Sequence, residues 1–235
     1  MVRWNKGNCE LSLMLLRQLL LRPNLLQFPS SRTACDLTLK KYDVIVVGGG
    51  HAGTEAAAAA TRVGAETLLI TQQIRTIGSL SCNPSLGGVG KGQLVREVDS
   101  LDGLCGRAGD WAGIHFSILN RSKGPAVWGP RAQLDRDRYR QFIQAELLAT
   151  PRLTVLEGSV EELLVSDPIL DQPGHHRVTG VRMVDGSQPI SSSSVVLTTG
   201  TFLSGSLFMG QTTSPGGRFG DPPSGAGLSH SLKEN

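Results

Sequence analysis

The sequence predicts an α/β fold built on a parallel sheet wound in the Rossmann manner, and three observations predict it. A short β-branched run, "VIVV" at residues 44–47, enters a glycine-rich turn. An alanine-rich stretch of helical length follows, and a second apolar run, "TLLI" at residues 67–70, completes a strand–helix–strand unit. Apolar runs this short, without polar alternation, suit strands covered on both faces, as parallel sheets are.

The turn itself, "GGGHAGTEAA", carries Gly48, Gly50 and Gly53 in the G-x-G-x-x-G spacing. Gly48 suits the tight turn, Gly50 lets backbone approach a pyrophosphate, and Gly53 lets the helix pack closely on the strand. A helix over residues 52–63 points its free N–H groups and the positive end of its dipole at that spot, so a diphosphate is the natural occupant. One part of the fingerprint is missing. An acidic residue about 20 positions on normally holds the adenosine ribose, yet Ile70 is followed by Thr71, Gln72 and Gln73. Gln72 or Gln73 can replace it as a neutral amide, and Arg75 reads as loop surface.

Beyond the second strand, residues 76–92 ("TIGSLSCNPSLGGVGKG") hold Gly78, Gly87, Gly88, Gly90 and Gly92, too many for a helix or central strand. A long shaped loop leaving the carboxyl edge of a strand stands where ligands bind in doubly wound sheets. A helix is expected over residues 93–101, then an irregular segment to Pro130. Residues 131–149 place Leu134, Tyr139, Phe142, Ile143, Leu147 and Leu148 near one face at helical spacing, with Arg136, Asp137, Arg140 and Gln144 largely opposite. Pro151 ends that helix. Residues 153–156 read as a strand, residues 160–165 and 178–184 as a hairpin, and residues 194–198 as another strand. The final "DPPSGAGLSHSLKEN" places Pro and Gly before a short helix, marginal unless it packs on something.

With 235 residues and 39% apolar content the chain can bury a sizeable core as one or two domains. The net charge of +3 is unevenly placed. Residues 1–41 hold seven Lys and Arg against Glu10 and Asp36, a local charge of +5, which leaves −2 for residues 42–235. By net charge the folded part is therefore not a basic nucleic-acid cradle. Residues 1–41 are Leu-rich and acid-poor, with Arg17, Arg22 and Arg32, the composition of a mitochondrial transit peptide or disordered leader. A secretory signal is the alternative. The cysteines oppose it, because Cys9 and Cys35 fall in the leader and Cys82 with Cys105 make no disulfide framework. No internal repeat and no membrane-spanning stretch are found.

"GGGHAGTEAA", "SCNPSLGGVGKG", "ILNRSKGPAV", "RAQLDR", "TTGTFL" and "GGRFGDPPS" occur in that order between Gly48 and Ser224. In these six motifs the chain resembles the MnmG/GidA family, the flavoprotein subunit of the tRNA wobble-uridine 5-carboxymethylaminomethyl modification enzyme, and its mitochondrial members in particular. The resemblance covers residues 42–235 and implies a Rossmann-like FAD-binding domain of the glutathione-reductase type, incomplete in this chain, which corresponds to the domain's N-terminal portion because family members are much longer. It implies FAD as cofactor, NADH as reductant through a region outside this chain, and a folate-derived one-carbon unit supplied with a GTPase partner. It further implies tRNA as substrate, modified at carbon 5 of the wobble uridine, with homodimers in full-length members and a mitochondrial matrix location.

On the family pattern Gly48, Gly49, Gly50, His51, Ala52 and Gly53 hold the FAD diphosphate, with His51 itself read as structural. Val160 and Ser224 match further FAD contacts, and Cys82 matches the loop cysteine that takes part in the reaction. A single thiol in a glycine-shaped loop beside a flavin suits a nucleophile for a pyrimidine ring; the alternative is a small buried residue. Lys91 and Lys123 can meet phosphates of tRNA or cofactor, or be surface, while Asn120, Arg131 and Asp135 can line the site or pin loops. No metal site is expected. Two alternatives to the family activity are a non-catalytic truncated form and another flavoenzyme such as a disulfide oxidoreductase. The latter needs two close cysteines, and Cys82 has no partner until Cys105.

Overall fold

The computed structural model describes residues 40–81, 83–167, 175–217, 220 and 227–234. The leader up to residue 39, Cys82 and Ser224 lie outside the described residues. The first unit matches its sequence pattern: β1 (Tyr42–Val47), α1 (His51–Arg62) and β2 (Thr67–Thr71). Next come β3 (Ser85–Gly87), α2 (Lys91–Ser100), α3 (Leu104–Ala112), β4 (Gly113–Leu119), β5 (Gly129–Leu134) and α4 (Arg136–Ala149). Strands β6 (Leu153–Glu157), β7 (Val160–Val165), β8 (Val178–Met183), β9 (Ile190–Leu197), β10 (Ser206–Met209) and β11 (Thr212–Pro215) precede α5 (Gly227–Glu234).

The main sheet has the order β6-β2-β1-β9-β8-β7. Its first four strands run parallel, and β9, β8 and β7 continue as antiparallel neighbours. From β1 the chain crosses to β2 and then β6 on one side, while β9 pairs with the other side of β1. That reversal opens a crevice at the carboxyl edge of β1, the place where such sheets bind ligands. β3, β5 and β4 form a small antiparallel sheet inserted between β2 and α4.

Residue parity divides the core. Val46 and Leu69 face α1, α3 and α4, packing with Ala57, Ala108, Tyr139 and Ile143. Ile45, Val47, Leu68 and Ile70 face the other way, with Val181, Ile190 and Leu228. The uniformly apolar β1 and β2 are thus explained by two covered faces. The short final helix does pack: Leu228 is buried, and Ser231 Oγ accepts a hydrogen bond from the Leu163 N–H at 3.1 Å.

Three expectations are corrected. The segment expected to be irregular up to Pro130 contains α3, β4 and the start of β5. The helix expected from residue 93 begins at Lys91. Residues 131–134 belong to β5, and α4 starts only at Arg136, capped by Asp135. Leu134 shares a core with Tyr139 and Phe142, so its apolar character reports the core and not a helical turn. Leu148, placed with the apolar face, is 37% exposed.

Candidate functional site

A cleft of about 400 Å³ opens at the crevice, within the size range of small-molecule sites. Its walls are the glycine turn at residues 48–51, residues 70–73 at the end of β2, residues 158–160 between β6 and β7, and residues 198–203 after β9.

The three glycines of the turn do different work. Gly48 has φ +115°, and a Cβ there would stand 2.5 Å from the Thr198 carbonyl oxygen; at Gly53 a Cβ would overlap the Gly48 carbonyl oxygen. These two are required by the fold itself. Thr198, below the turn, donates its hydroxyl to the Val47 carbonyl at 2.9 Å. Gly50 differs, because it is extended at φ −76° and a Cβ there meets nothing within 4 Å. Gly50 lines the cleft, so the space beside it is left open to an occupant. Gly50 is also the N-cap of α1, with no side chain capping the helix and no acidic residue in its first turn. The free N–H groups and dipole of α1 are therefore left for an anion, and the residues present fit a dinucleotide diphosphate.

Gly49 and His51 line the cleft, while Ala52 and Gly53 sit on α1 behind it; Val160 lines the opposite wall. Gln72 and Gln73 lie in the wall at the end of β2, and no Asp or Glu is among the described lining residues. The nearby carboxylate of Glu157 accepts instead from the Ile74 N–H at 2.8 Å. Arg75 donates to Gln73 Oε1 and stays outside the cleft.

His51 is exposed at the mouth, with its ring edge-to-face on Tyr139 at a centroid separation of 5.7 Å. Partial desolvation of the ring first, then the charge of Lys91, lowers its pKa against the opposing pull of Glu55. The imidazole is therefore neutral near pH 7. Behind it, burial first and a hydrogen bond to Glu55 second push the Cys105 thiol up to about 12. A buried thiol so hard to ionise is a poor exchange partner, which opposes the disulfide-oxidoreductase alternative.

The structure does not bring all the sequence candidates together. Asn120 adopts a left-handed conformation between β4 and β5 and donates to the Val127 carbonyl at 3.4 Å, away from the cleft; Lys123 lies in the same connection. Asp135 caps α4. Lys91 and Arg131 face a second cavity on the far side of His51. Thr198 was missed as an individual residue, although it opens the "TTGTFL" motif. Among the described residues no cluster suits a metal ion and no helix is long and apolar enough to cross a membrane.

Residues 43–235 match the family model described as glucose inhibited division protein A. The chain is 56% identical over 212 residues to the mitochondrial 5-taurinomethyluridine-tRNA synthase subunit MTO1 of Pongo abelii, covering 89% of this chain and 30% of that protein. It is 58% identical over 183 residues to the tRNA uridine 5-carboxymethylaminomethyl modification enzyme MnmG of Granulibacter bethesdensis, covering 78% of this chain and 28% of that one. Among solved structures, Aquifex aeolicus GidA superposes with a TM-score of 0.76 at 42% identity, over 83% of this chain and 31% of its own. The chain thus spans under a third of the length of these relatives.

Proposed function

The chain belongs to the glucose inhibited division protein A family, and from that premise we propose that its cleft binds FAD and that the protein serves FAD-dependent modification of carbon 5 of the wobble uridine in tRNA. The observation that carries the cofactor half is the open space at Gly50, flanked by two glycines that the fold itself requires. The names of the relatives carry the substrate half.

In this reading the N-terminus of α1 and the backbone of Gly48, Gly49 and Gly50 hold the diphosphate, with His51, Ala52 and Gly53 keeping the turn and helix in place. Gln72 or Gln73 hydrogen-bonds the ribose, and Val160 and Ser224 complete the contacts. FAD supplies two-electron redox chemistry, with NADH as the reductant. Cys82 is assigned the nucleophile toward the pyrimidine ring. A GTPase subunit and a folate-derived one-carbon unit, homodimer formation and a mitochondrial matrix location complete the proposal, the last supported by the mitochondrial relatives.

The test has two parts. Purified chain titrated with FAD should acquire a bound-flavin absorbance spectrum, and failure at saturating FAD would remove the cofactor assignment. Cells lacking the endogenous activity, complemented with this chain or with a longer relative, should regain wobble-uridine modification by mass spectrometry of their tRNA. In the longer relative, replacement of the cysteine matching Cys82 by serine should abolish modification with the flavin spectrum retained.

A further inference from the structure

A second cavity, about 370 Å³, lies between β3, β5 and the N-terminus of α2, separated from the dinucleotide cleft by His51 and Ser81, which line both. Its other walls are Leu80, Asn83, Ser85, Gly87, Lys91 and Arg131. Among the described residues no carboxylate lines it, and the two formal charges they bring to it are both positive. Buried Ser85 gathers them: Lys91 Nζ donates to its carbonyl oxygen and Arg131 Nη2 to its hydroxyl, each at 3.1 Å. Neither cation forms an ion pair among the described residues, whose ion pairs are Lys40–Glu66, Arg107–Glu146, Arg140–Asp137 and Arg182–Glu162. The N-terminus of α2 adds to the same field. Its N-cap is Gly90, no side chain caps it, and its first turn holds no acid.

Two cations held by one serine without a counter-ion among the described residues, beside an uncapped helix start and with hydroxyl and amide donors from Ser81 and Asn83, form a receptor for a doubly charged oxyanion. Lys offers a point charge and Arg a planar fork, a combination suited to the several oxygens of a phosphate. We propose that this second cavity binds a phosphate group, held jointly by Lys91 and Arg131, separately from the diphosphate seat on the glycine turn. The phosphate comes either from an RNA backbone or from a small phosphorylated molecule, and the cavity's charge recognises both by the same chemistry. The proposal stands on this geometry and does not depend on the identity of the molecule in the first cleft.

Acetylation of individual lysines, read by mass spectrometry on the FAD-saturated 235-residue chain at constant ionic strength, tests it. Inorganic phosphate at about twice its dissociation constant should slow acetylation of Lys91 about threefold, while Lys123 is unchanged. A short single-stranded RNA forms the second arm. Protection by RNA at far lower phosphate concentration marks the RNA backbone as the source, and protection by inorganic phosphate alone marks a small molecule. Arg131→Gln should abolish the protection and Arg131→Lys retain part of it, both with an unaltered flavin spectrum. Equal slowing at Lys91 and Lys123 would reduce the effect to general screening. Protection by FAD alone, with none added by phosphate or RNA, would give the cavity to the cofactor, and undiminished protection in Arg131→Gln would exclude a joint site; each outcome overturns the proposal.

Discussion

Glu55 and Cys105 are joined across two helices: Glu55 Oε1, on α1, accepts a hydrogen bond from the Cys105 N–H at 2.6 Å, and its Oε2 accepts one from the Leu104 N–H at 2.9 Å. The N-cap of α3 is Gly103, which has no side chain to offer, so the neighbouring helix supplies the cap. This contact also sets the spacing between the helix of the glycine turn and the inserted segment.

Glu55→Ala should therefore cost about 1–2 kcal/mol, as loss of a cap with buried N–H groups does. In a chain of this size that lowers the melting temperature by about 2–8 °C. Flavin binding should survive, because Glu55 does not line the cleft. An unchanged melting curve would show that water replaces the carboxylate at no cost.

Stability should decline in alkali. Burial pushes the Cys105 thiol up to about 12 and raises the Tyr139 phenol as well, while in the unfolded chain they ionise near about 8.5 and 10. As pH rises past those values the unfolded state releases protons that the folded state keeps, so it gains relative to the fold. The full stability is present below about pH 8.5 and is lost through about pH 12. A denaturation midpoint that stays flat to pH 11, or native-state alkylation of Cys105 at pH 8 as fast as in urea, would contradict the assignment.

Asp135 Oδ1 accepts from the N–H groups of Asp137 at 2.9 Å and Arg138 at 3.0 Å. Asp135→Ala should destabilise by about 1 kcal/mol, and Asp135→Asn by less, because the amide oxygen can still accept. Equal melting temperatures for wild type and both variants would make the cap energetically silent.

That same cap shows where sequence reading stops. The β1–α1–β2 unit was legible because two covered strand faces and three spaced glycines leave a local signature. The extent of α4 was not, since Leu134 continues the helical spacing by chance from a strand. The overlooked signal was Asp135 itself, a capping residue followed by helix formers. Helix α3 was hidden by Gly103, Gly106 and Gly109, poor helix formers that tertiary contact selects. A Cβ on Gly106 would press into the Asp99 side chain of α2, and one on Gly109 would stand 3.0 Å from the Leu86 side chain. No local pattern announces such contacts. Of the site, the glycine turn and the end of β2 could be read directly, while the cavity of Lys91 and Arg131 needed the pairing of β3 with β5, some 45 residues apart in sequence.

The glycine turn allows the ligand's requirement to be separated from the fold's. Gly53→Ala would drive a Cβ into the Gly48 carbonyl, and Gly48→Ala would force both a clash with Thr198 and a positive φ. Both should destabilise the FAD-free chain by an amount typical of overpacked cores, about 1–3 kcal/mol or more, and so lower its melting temperature. Gly50 adopts a conformation open to any residue, and its Cβ direction is free, so Gly50→Val should leave the FAD-free melting temperature nearly unchanged. A branched side chain at that point nevertheless occupies the approach of the pyrophosphate. Flavin binding should therefore fall by at least about tenfold in Gly50→Val, with Gly50→Ala intermediate. If Gly50→Val instead unfolds the chain, the glycine serves the backbone; if it binds FAD with wild-type affinity, the diphosphate lies elsewhere.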